Sequence, residues 1–319
     1  MEKIILDCDP GHDDAIAILL AAGDPRVELL AITTVAGNQT LPKVTRNALS
    51  VCAIAGIRVP VAAGVDRPLV EPQRVAEDIH GDSGLDGPAL PPPAFELDGR
   101  HGVQVIVDTV MAHEPGTVTL VATGPLTNVA LAMRLRPAIV ERVKRVVVMG
   151  GAHTRGNTTP AAEFNIAVDP EAAEAVFRGA WEVTMVGLDL THQALATDEL
   201  HERVRAIGGE VSGFVLDVWE FFGETYRTVF GFRHPPIHDA CCVAAVIDSA
   251  VFTTAKADVR VELRGEWTRG MTVVDFADVP AMRHGSSPGD FRTEVALELD
   301  WPRFADLVVG AIGRLSASA

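Results

Sequence analysis

The chain has 319 residues, of which 48% are hydrophobic and 22% charged, and its formal net charge is −16. This length and apolar content argue against intrinsic disorder and are enough for one large α/β domain or two modest ones. The acidic charge argues against a nucleic-acid partner, since phosphate backbones are bound by Lys and Arg, and no apolar stretch is long enough for a membrane span.

Apolar runs typical of buried strands alternate along the chain with runs typical of helices. Strands are predicted at 4–6, 29–33, 118–122, 143–149 and 183–188. Helices are predicted at 15–20, 44–55, from 125–128 onward and at 171–177. This alternation of helices with continuous apolar strands predicts an α/β fold with a mainly parallel, doubly wound, Rossmann-like sheet and helices on both faces.

The last part of the chain has a different pattern. Short strand candidates follow one another at 259–263, 271–276 and 295–299, with few helices between them. They predict small extra strands that form a hairpin or an edge of the main sheet. A final helix is predicted at 303–315, and the Pro-rich stretch 88–93 is typical of a loop. No repeat or linker divides the chain, so residues 1–319 are predicted to form one domain.

Four aspartates lie within eight residues directly after the first predicted strand: Asp7, Asp9, Asp13 and Asp14. Carboxylates this close repel one another unless a cation or protons intervene. Oxygen ligands at a strand end favour a hard divalent metal. Helix capping could account for one of Asp13 and Asp14, but not for Asp7 and Asp9. The loop is therefore interpreted as a metal or catalytic site.

Further polar groups also follow predicted strands. They are Asn38, the segment 122–128, the group Asn157, Glu163 and Asn165, and the pair His238–Asp239, which opens a helix. Each group alone is weak evidence, because a loop Asn is most often a turn residue. The carboxyl ends of parallel strands meet at one edge of a sheet, and their common placement there predicts one shared pocket.

The cysteines and the beginning of the sequence bear on location. The four cysteines, two of them adjacent at Cys241 and Cys242, form no C-x-x-C pair, so a zinc site is not expected. No signal peptide is visible, because Glu2 and Lys3 lead directly into a strand. A reducing cytoplasm is the expected location.

The segment 7–15, Asp-Cys-Asp-Pro-Gly-His-Asp-Asp-Ala, resembles the N-terminal signature of the inosine-uridine preferring nucleoside hydrolases. The likeness continues in order through 31–38, 79–84, 124–128, 149–151, 157–165, 169–173, 187–192 and 238–239. It therefore covers essentially the whole chain. The resemblance implies an enzyme that hydrolyses the N-glycosidic bond of ribonucleosides to free base and ribose.

The resemblance also implies a cofactor and site residues. It implies a Ca²⁺ ion held by Asp9, Asp14 and Asp239 and by the backbone carbonyl of Thr123. Asp9 would be the general base for a calcium-positioned water, and His238, which titrates near neutrality, the leaving-group acid. The implied substrate contacts are Asp13, Asn38, His80, Met149, Asn157, Glu163, Phe164, Asn165, Phe222 and Tyr226. Members of this family are usually homo-dimers or tetramers, so a homo-oligomer is expected.

One position departs from the family pattern. In members with purine activity, the helix before the His-Asp pair commonly brings two tyrosines near the base. Here Tyr226 fits one of these positions, and Phe222 stands where the second hydroxyl would be. A phenylalanine stacks but donates no hydrogen bond, so the purine or pyrimidine preference is left open.

Two other functions fit part of the pattern. A strand followed by Asp7-x-Asp9 is reminiscent of haloacid-dehalogenase-type phosphatases, but these need a downstream lysine that has no obvious counterpart here. The non-enzyme alternative is a nucleoside-binding or sensing protein without turnover. Asp9 discriminates against it, because a pure binder needs no base directed at water.

Overall fold

The computed structural model describes residues 1–277 and 291–318. In chain order its strands are β1 (Glu2–Cys8), β2 (Val27–Thr34), β3 (Val61–Ala63), β4 (Val118–Ala122), β5 (Val143–Met149), β6 (Val183–Val186), β7 (Phe252–Val261), β8 (Thr272–Asp275) and β9 (Thr293–Leu299). Its α-helices are α1 (His12–Gly23), α2 (Leu41–Ile54), α3 (Glu77–His80), α4 (Gly102–Ala112), α5 (Thr127–Leu135), α6 (Phe164–Val168), α7 (Pro170–Phe177), α8 (Leu188–Thr191), α9 (Asp198–Arg205), α10 (Gly209–Phe230), α11 (Ala240–Ile247) and α12 (Trp301–Ser318). Short 3₁₀ helices occupy Pro137–Glu141 and Ser249–Val251.

The strands of the described residues form one sheet in the order β3-β2-β1-β4-β5-β6-β9-β7-β8. From β3 to β9 all neighbouring strands are parallel, which confirms the predicted α/β sheet. Strand order reverses between β1 and β4. The carboxyl ends of strands at such a switch point are where open α/β sheets bind their ligands.

The C-terminal strands extend the main sheet. Strands β7 and β8 form the predicted antiparallel hairpin at its edge. Strand β9 lies between them and the rest of the sheet, parallel to β6 and antiparallel to β7. Strand β7 begins at Phe252, seven residues before the predicted start. After the buried Phe252, its first half is largely exposed, as at Thr253 and Lys256, and so lacks an apolar run.

Helices cover both faces of the sheet, as predicted. Alternate residues of β1 point to opposite sides: Ile4 and Leu6 pack with residues of α1, α2, α10, α11 and α12, whereas Ile5 packs with residues of α4, α5 and α7. The Arg314 side chain in α12 donates to the carbonyl of Gly23 at the end of α1 (2.5 Å), and also approaches the Asp24 carboxylate (3.4 Å). Helix α12 therefore fixes the far end of the helix that follows the acidic loop.

Several element boundaries differ from the sequence prediction, among them the end of β6 and the start of α1. Strand β6 ends at Val186 rather than at 188, because Leu188 begins the short helix α8. Helix α1 begins at His12, three residues before the predicted start. The Pro-rich stretch 88–93 is free of helix and strand, as predicted. No helix among residues 1–277 and 291–318 has the length and apolar character needed to cross a bilayer.

Candidate functional site

The acidic loop joins β1 to α1 at the switch point of the sheet. The Asp14 carboxylate in the first turn of α1 accepts hydrogen bonds from the backbone N–H groups of Gly11 (3.1 Å) and Asp9 (3.3 Å). The Thr123 hydroxyl, just beyond the end of β4, donates to the same carboxylate (2.8 Å). Asp14 thus closes the loop as a helix cap and also ties it to the neighbouring strand.

Asp9 lies between the strand and the helix and is fully buried. Its Oδ2 accepts a hydrogen bond from the Asn38 backbone N–H (2.6 Å), and the Asn38 amide donates to the Asp9 carbonyl (3.2 Å). Its Oδ1 has no partner among the described residues. A Cβ atom on Gly37 or on Gly124 would lie 2.1 Å or 2.5 Å from the Asp9 carboxylate oxygens. The backbone therefore encloses this carboxylate so closely that neither position has room for a side chain.

The side-chain oxygens of Asp13, Asp14 and Asp239 lie within 4.8 Å of one another. Burial raises the pKa of these three carboxyl groups and of Asp9, to about 8 for Asp13. Neighbouring aspartate charges raise the pKa values of Asp9, Asp13 and Asp239 further. Buried carboxylates that repel one another in this way are stabilised in their charged form by a cation, and an all-oxygen set suits a hard one.

Asp7 does not belong to this cluster. Its Oδ1 accepts hydrogen bonds from the Thr33 hydroxyl (2.5 Å) and the Asn128 amide (2.8 Å), and burial raises its pKa to about 7. Asn128 also donates to the carbonyl of Thr34 (3.0 Å). Asp7 therefore ties β1, β2 and α5 together next to the site, and these hydrogen bonds set it apart from the other three aspartates of the loop.

A cavity of about 360 Å³ opens above the cluster. Its lining includes all the expected substrate contacts, Asp13, Asn38, His80, Met149, Asn157, Glu163, Phe164, Asn165, Phe222 and Tyr226, together with Thr123, His238 and Asp239. Asp9 and Asp14 are fully buried behind this lining, hydrogen-bonded to Asn38 and Thr123. The structure thus brings every predicted site residue to one place.

Sequence reasoning did not assign some of the lining residues. These are Val75, Ala76, Asp78, Ile79, Thr158, Val229 and Phe230. For Phe230 a signal was available, because Phe222, Tyr226 and Phe230 recur every four residues and so share one face of α10. The segment 75–79 carries no comparable pattern.

Polar groups on one side of the cavity are held by backbone contacts. The Asn165 amide donates to the carbonyls of Thr123 (2.7 Å) and Met149 (3.2 Å), so its side-chain oxygen is left for a ligand. Asn157 Oδ1 accepts from the Phe164 N–H (2.9 Å), which leaves its amide group as a donor. The Glu163 carboxylate caps α6, and burial raises its pKa to about 7.

His238 is bonded at both ring nitrogens. Its Nδ1 lies 2.7 Å from the Thr191 hydroxyl, and its Nε2 lies 2.7 Å from the Tyr226 hydroxyl. Burial, together with the neighbouring His192, lowers the pKa of His238 well below 6.5. The resting imidazole is therefore neutral at neutral pH, unlike the group titrating near neutrality that the sequence led us to expect. Sequence reasoning did not single out Thr191 as a partner.

The opposite wall is aromatic. The Phe222 ring stacks on His12 (5.0 Å between ring centroids) and on His80 (5.4 Å), and its edge meets Tyr226 (4.7 Å). His12 is fully buried, and its Nδ1 lies 3.0 Å from Nδ1 of His80. His12 belongs to the acidic-loop signature, but its sequence position gave no sign of its partner 68 residues away.

Comparisons with known proteins agree with this geometry. The family model described as "Inosine-uridine preferring nucleoside hydrolase" matches residues 4–306. Proteins of that name from Leishmania major and Crithidia fasciculata are 53% and 52% identical to this chain, each over 98% of both sequences. The structure titled "Purine-Preferring Ribonucleoside Hydrolase from Gardnerella vaginalis" superposes with a TM-score of 0.91 at 32% identity, over 100% of both chains.

Proposed function

The chain belongs to the inosine-uridine preferring nucleoside hydrolase family, and we propose how its buried acidic pocket performs that chemistry. It is an enzyme that hydrolyses the N-glycosidic bond of ribonucleosides, releasing the base and ribose. This activity agrees with the favoured interpretation of the sequence rather than with a sensor or a phosphatase. The observation that carries the mechanism is the buried carboxylate of Asp9 behind the floor of the cavity, with one oxygen that has no partner within residues 1–277 and 291–318.

We propose that the pocket takes a calcium ion. Asp9, Asp14 and Asp239 would hold it with their carboxylates, and Thr123 with its backbone carbonyl. The fit rests on the clustered buried carboxylates, whose pKa values are raised, and on the unpaired oxygen of Asp9. Asp13 lies in the same cluster, and like Asp239 it lines the cavity. Following the resemblance to the family, we assign Asp13 to a ribose hydroxyl.

Asp9 acts as the general base in this proposal. A bound calcium ion supplies positive charge that orients a water molecule and lowers its pKa. Asp9 removes one proton from the water as its oxygen attacks the anomeric carbon. The bond to the base breaks in the same step, ahead of full bonding to the water oxygen, and its electron pair leaves with the base. The two hydrogen bonds from Asn38, one to the carboxylate and one to the carbonyl of Asp9, keep the base in place.

The sugar is held by polar side chains on the other side of the cavity. Asn157 offers an amide donor and Asn165 a carbonyl acceptor, while Asp13 and Glu163 offer carboxylates. Positive charge develops on the ribose as the bond breaks, and nearby carboxylates stabilise it. Buried groups that pair with hydroxyls are left unpaired by a sugar lacking them, so ribosides should react faster than deoxyribosides.

His238 and Tyr226 supply the proton to the departing base. His238 is neutral at rest, so it first takes up a proton from solvent when substrate binds. It then carries hydrogen on both nitrogens, and the hydroxyls of Thr191 and Tyr226 can only accept from it. The hydroxyl hydrogen of Tyr226 is then free to point at the base. As the base leaves it takes this hydrogen, and His238 replaces it with the one on Nε2. The ring returns to the neutral form that its burial favours.

The test is a panel of inosine, uridine, cytidine, adenosine and guanosine, assayed for released ribose with and without a chelator. Hydrolysis of inosine and uridine, abolished by the chelator, is the expected result. We propose acceptance of both bases because the relatives that are 52–53% identical are described as inosine-uridine preferring. Ribose release that the chelator leaves unchanged would refute the calcium proposal, and absence of ribose release would refute the function.

We also propose that residues 1–319 act as one nucleoside hydrolase domain that assembles as a homo-dimer or homo-tetramer in a reducing cytoplasm. All four cysteines are free and buried, which agrees with a compartment that keeps thiols reduced. Light scattering on the purified protein tests the oligomeric state directly. A monomeric mass at micromolar concentration would refute it.

A further inference from the structure

His12, the first residue of α1, is the most enclosed histidine next to the cavity. Its ring is fully buried between the rings of Phe221 and Phe222, with both centroids 5.0 Å away and nearly parallel planes. Its Nε2 lies 2.8 Å from the backbone carbonyl oxygen of Asp86, and its Nδ1 lies 3.0 Å from Nδ1 of His80. Both ring nitrogens of His12 therefore have a hydrogen-bonding partner.

The donor at each contact follows from simple rules. A carbonyl oxygen can only accept, so Nε2 of His12 carries a hydrogen. Only one hydrogen fits between two nitrogens 3.0 Å apart. If that hydrogen were on His12, the ring would be a fully buried cation, and neither of its nitrogens faces a carboxylate that would stabilise the charge. The hydrogen therefore belongs to Nδ1 of His80, which donates to the bare Nδ1 of His12.

The alternative would leave both Nδ1 atoms bare, with His80 accepting from the backbone N–H of His12. That contact is longer (3.4 Å), and two lone pairs would then face each other at 3.0 Å. A neutral His80 with hydrogen on Nδ1 has a bare Nε2. Burial lowers the pKa of His80 well below 6.5, which keeps the ring neutral. Within residues 1–277 and 291–318 no group hydrogen-bonds to this Nε2, and His80 lines the cavity.

We propose that His12 is a positioning residue that sets the tautomer of His80, so that Nε2 of His80 accepts a hydrogen bond from an N–H or O–H group of the bound nucleoside. This inference rests on the proposed function only for the identity of the ligand. The tautomer itself is a property of the free protein. It makes Nε2 of His80 a hydrogen-bond acceptor only, beside the aromatic ring of Phe222.

The first test is nuclear magnetic resonance of protein with ¹⁵N-labelled histidine, with the His80→Ala spectrum identifying the His80 signals. In the wild type we expect His80 protonated on Nδ1. In His12→Phe the ring stays stacked but the acceptor is lost, and only the backbone N–H of residue 12 still faces Nδ1. We expect His80 to change to the Nε2-protonated form. His12→Asn keeps an acceptor oxygen near the position of Nδ1 and should retain the wild-type tautomer.

The second test is kinetic. His12→Phe should raise the KM for the best nucleoside roughly tenfold, the effect of losing one hydrogen bond, with a smaller change in kcat. His12→Asn should recover most of that loss. Phe221→Leu removes the other stacking ring without touching any hydrogen bond of His12. The His80 signals should therefore keep the wild-type pattern, and the KM should stay at its wild-type value.

A wild-type spectrum with His80 protonated on Nε2 overturns the proposal whatever the variants do, including the case in which His12→Phe fails to fold. Equal KM values for His12→Phe and wild type also overturn it. If no nucleoside of the panel releases ribose, the proposed function is refuted, but the spectrum still reports the tautomer of His80. The two failures are therefore distinguishable.

Discussion

The phenolic oxygen of Tyr226 lies 2.7 Å from Nε2 of His238, and Tyr226 is the only tyrosine in the chain. Replacing it with phenylalanine keeps the ring and removes the hydroxyl. We expect Tyr226→Phe to lower kcat for natural nucleosides by roughly 10²–10³, the usual effect of losing an acid catalyst. An activated riboside such as 4-nitrophenyl riboside has a leaving group that needs no proton, and its kcat should fall less than about tenfold.

The same comparison applies to His238→Ala, which removes the proton source behind the hydroxyl. Steady-state kinetics on inosine, uridine and the activated substrate measure both variants. A loss of equal size on all three substrates would contradict the acid role of the pair. It would indicate instead that the two residues only shape the cavity.

Asp9→Asn tests the assigned base. The amide has the size of the carboxylate but cannot take a proton from water, so kcat should fall by about 10³ or more, with nucleoside binding retained in part. Single-turnover kinetics and calorimetric binding of a non-hydrolysable ribose analogue separate the two effects. Normal turnover in this variant would rule out Asp9 as the base.

Asp7→Asn is the matched control, two residues earlier and within β1. Both hydrogen bonds to Asp7 reach Oδ1, and Oδ2 has no partner among the described residues, so asparagine can keep both contacts. We expect turnover within about threefold of wild type, because the variant keeps both hydrogen bonds that Asp7 accepts. A loss as large as that of Asp9→Asn would show that any buried aspartate in this loop is equally sensitive.

The calcium site predicts a coupled effect on activity and stability. Chelation should abolish ribose release, and calcium should restore it and raise the unfolding midpoint, because a ligand at 100 times its Kd stabilises the folded state by about 2.7 kcal/mol. Asp239→Asn should weaken calcium binding in calorimetry and reduce this rise. Magnesium should restore less activity, since it demands a stricter octahedral set of oxygens. An unchanged midpoint with calcium would argue against a site in the folded protein.

Gly37→Ala tests the close approach of the backbone to the base. The new methyl group would lie 2.1 Å from Asp9 Oδ2, so the carboxylate must move. Because small misplacements of a catalytic group cost up to about 10² in rate, we expect kcat to fall by about 10²-fold. Gly213→Ala is the control: a Cβ there meets nothing within 4 Å, and in the interior of α10 it should stabilise the protein by up to about 1 kcal/mol. Equal kcat values for the two variants would contradict the proposed constraint.

Local sequence patterns predicted the centre of the sheet well. The bounds of β4 and β5 match the prediction to the residue, because β4 is buried along its whole length and β5 ends in an apolar, buried run. The short β3 and the first half of β7 escaped notice, since three residues or a largely exposed stretch give a weak local signal.

The site was predictable where its residues follow parallel strands, as Asp9 and Thr123 do, because strand ends must meet at one edge of the sheet. The contacts of His12 with His80 and Asp86 were not predictable. They depend on how a loop more than 60 residues away folds over α1, and no pattern near His12 encodes that.

The hydrogen bond between Arg314 and the carbonyl of Gly23 joins residues 291 positions apart. Helix α1 holds Asp13 and Asp14 at one end and depends on α12 at the other. A nascent polypeptide that has left the ribosome only as far as β9 therefore carries its negative charges on a helix without its final support. This contact at the far end of α1 forms only after translation has reached α12.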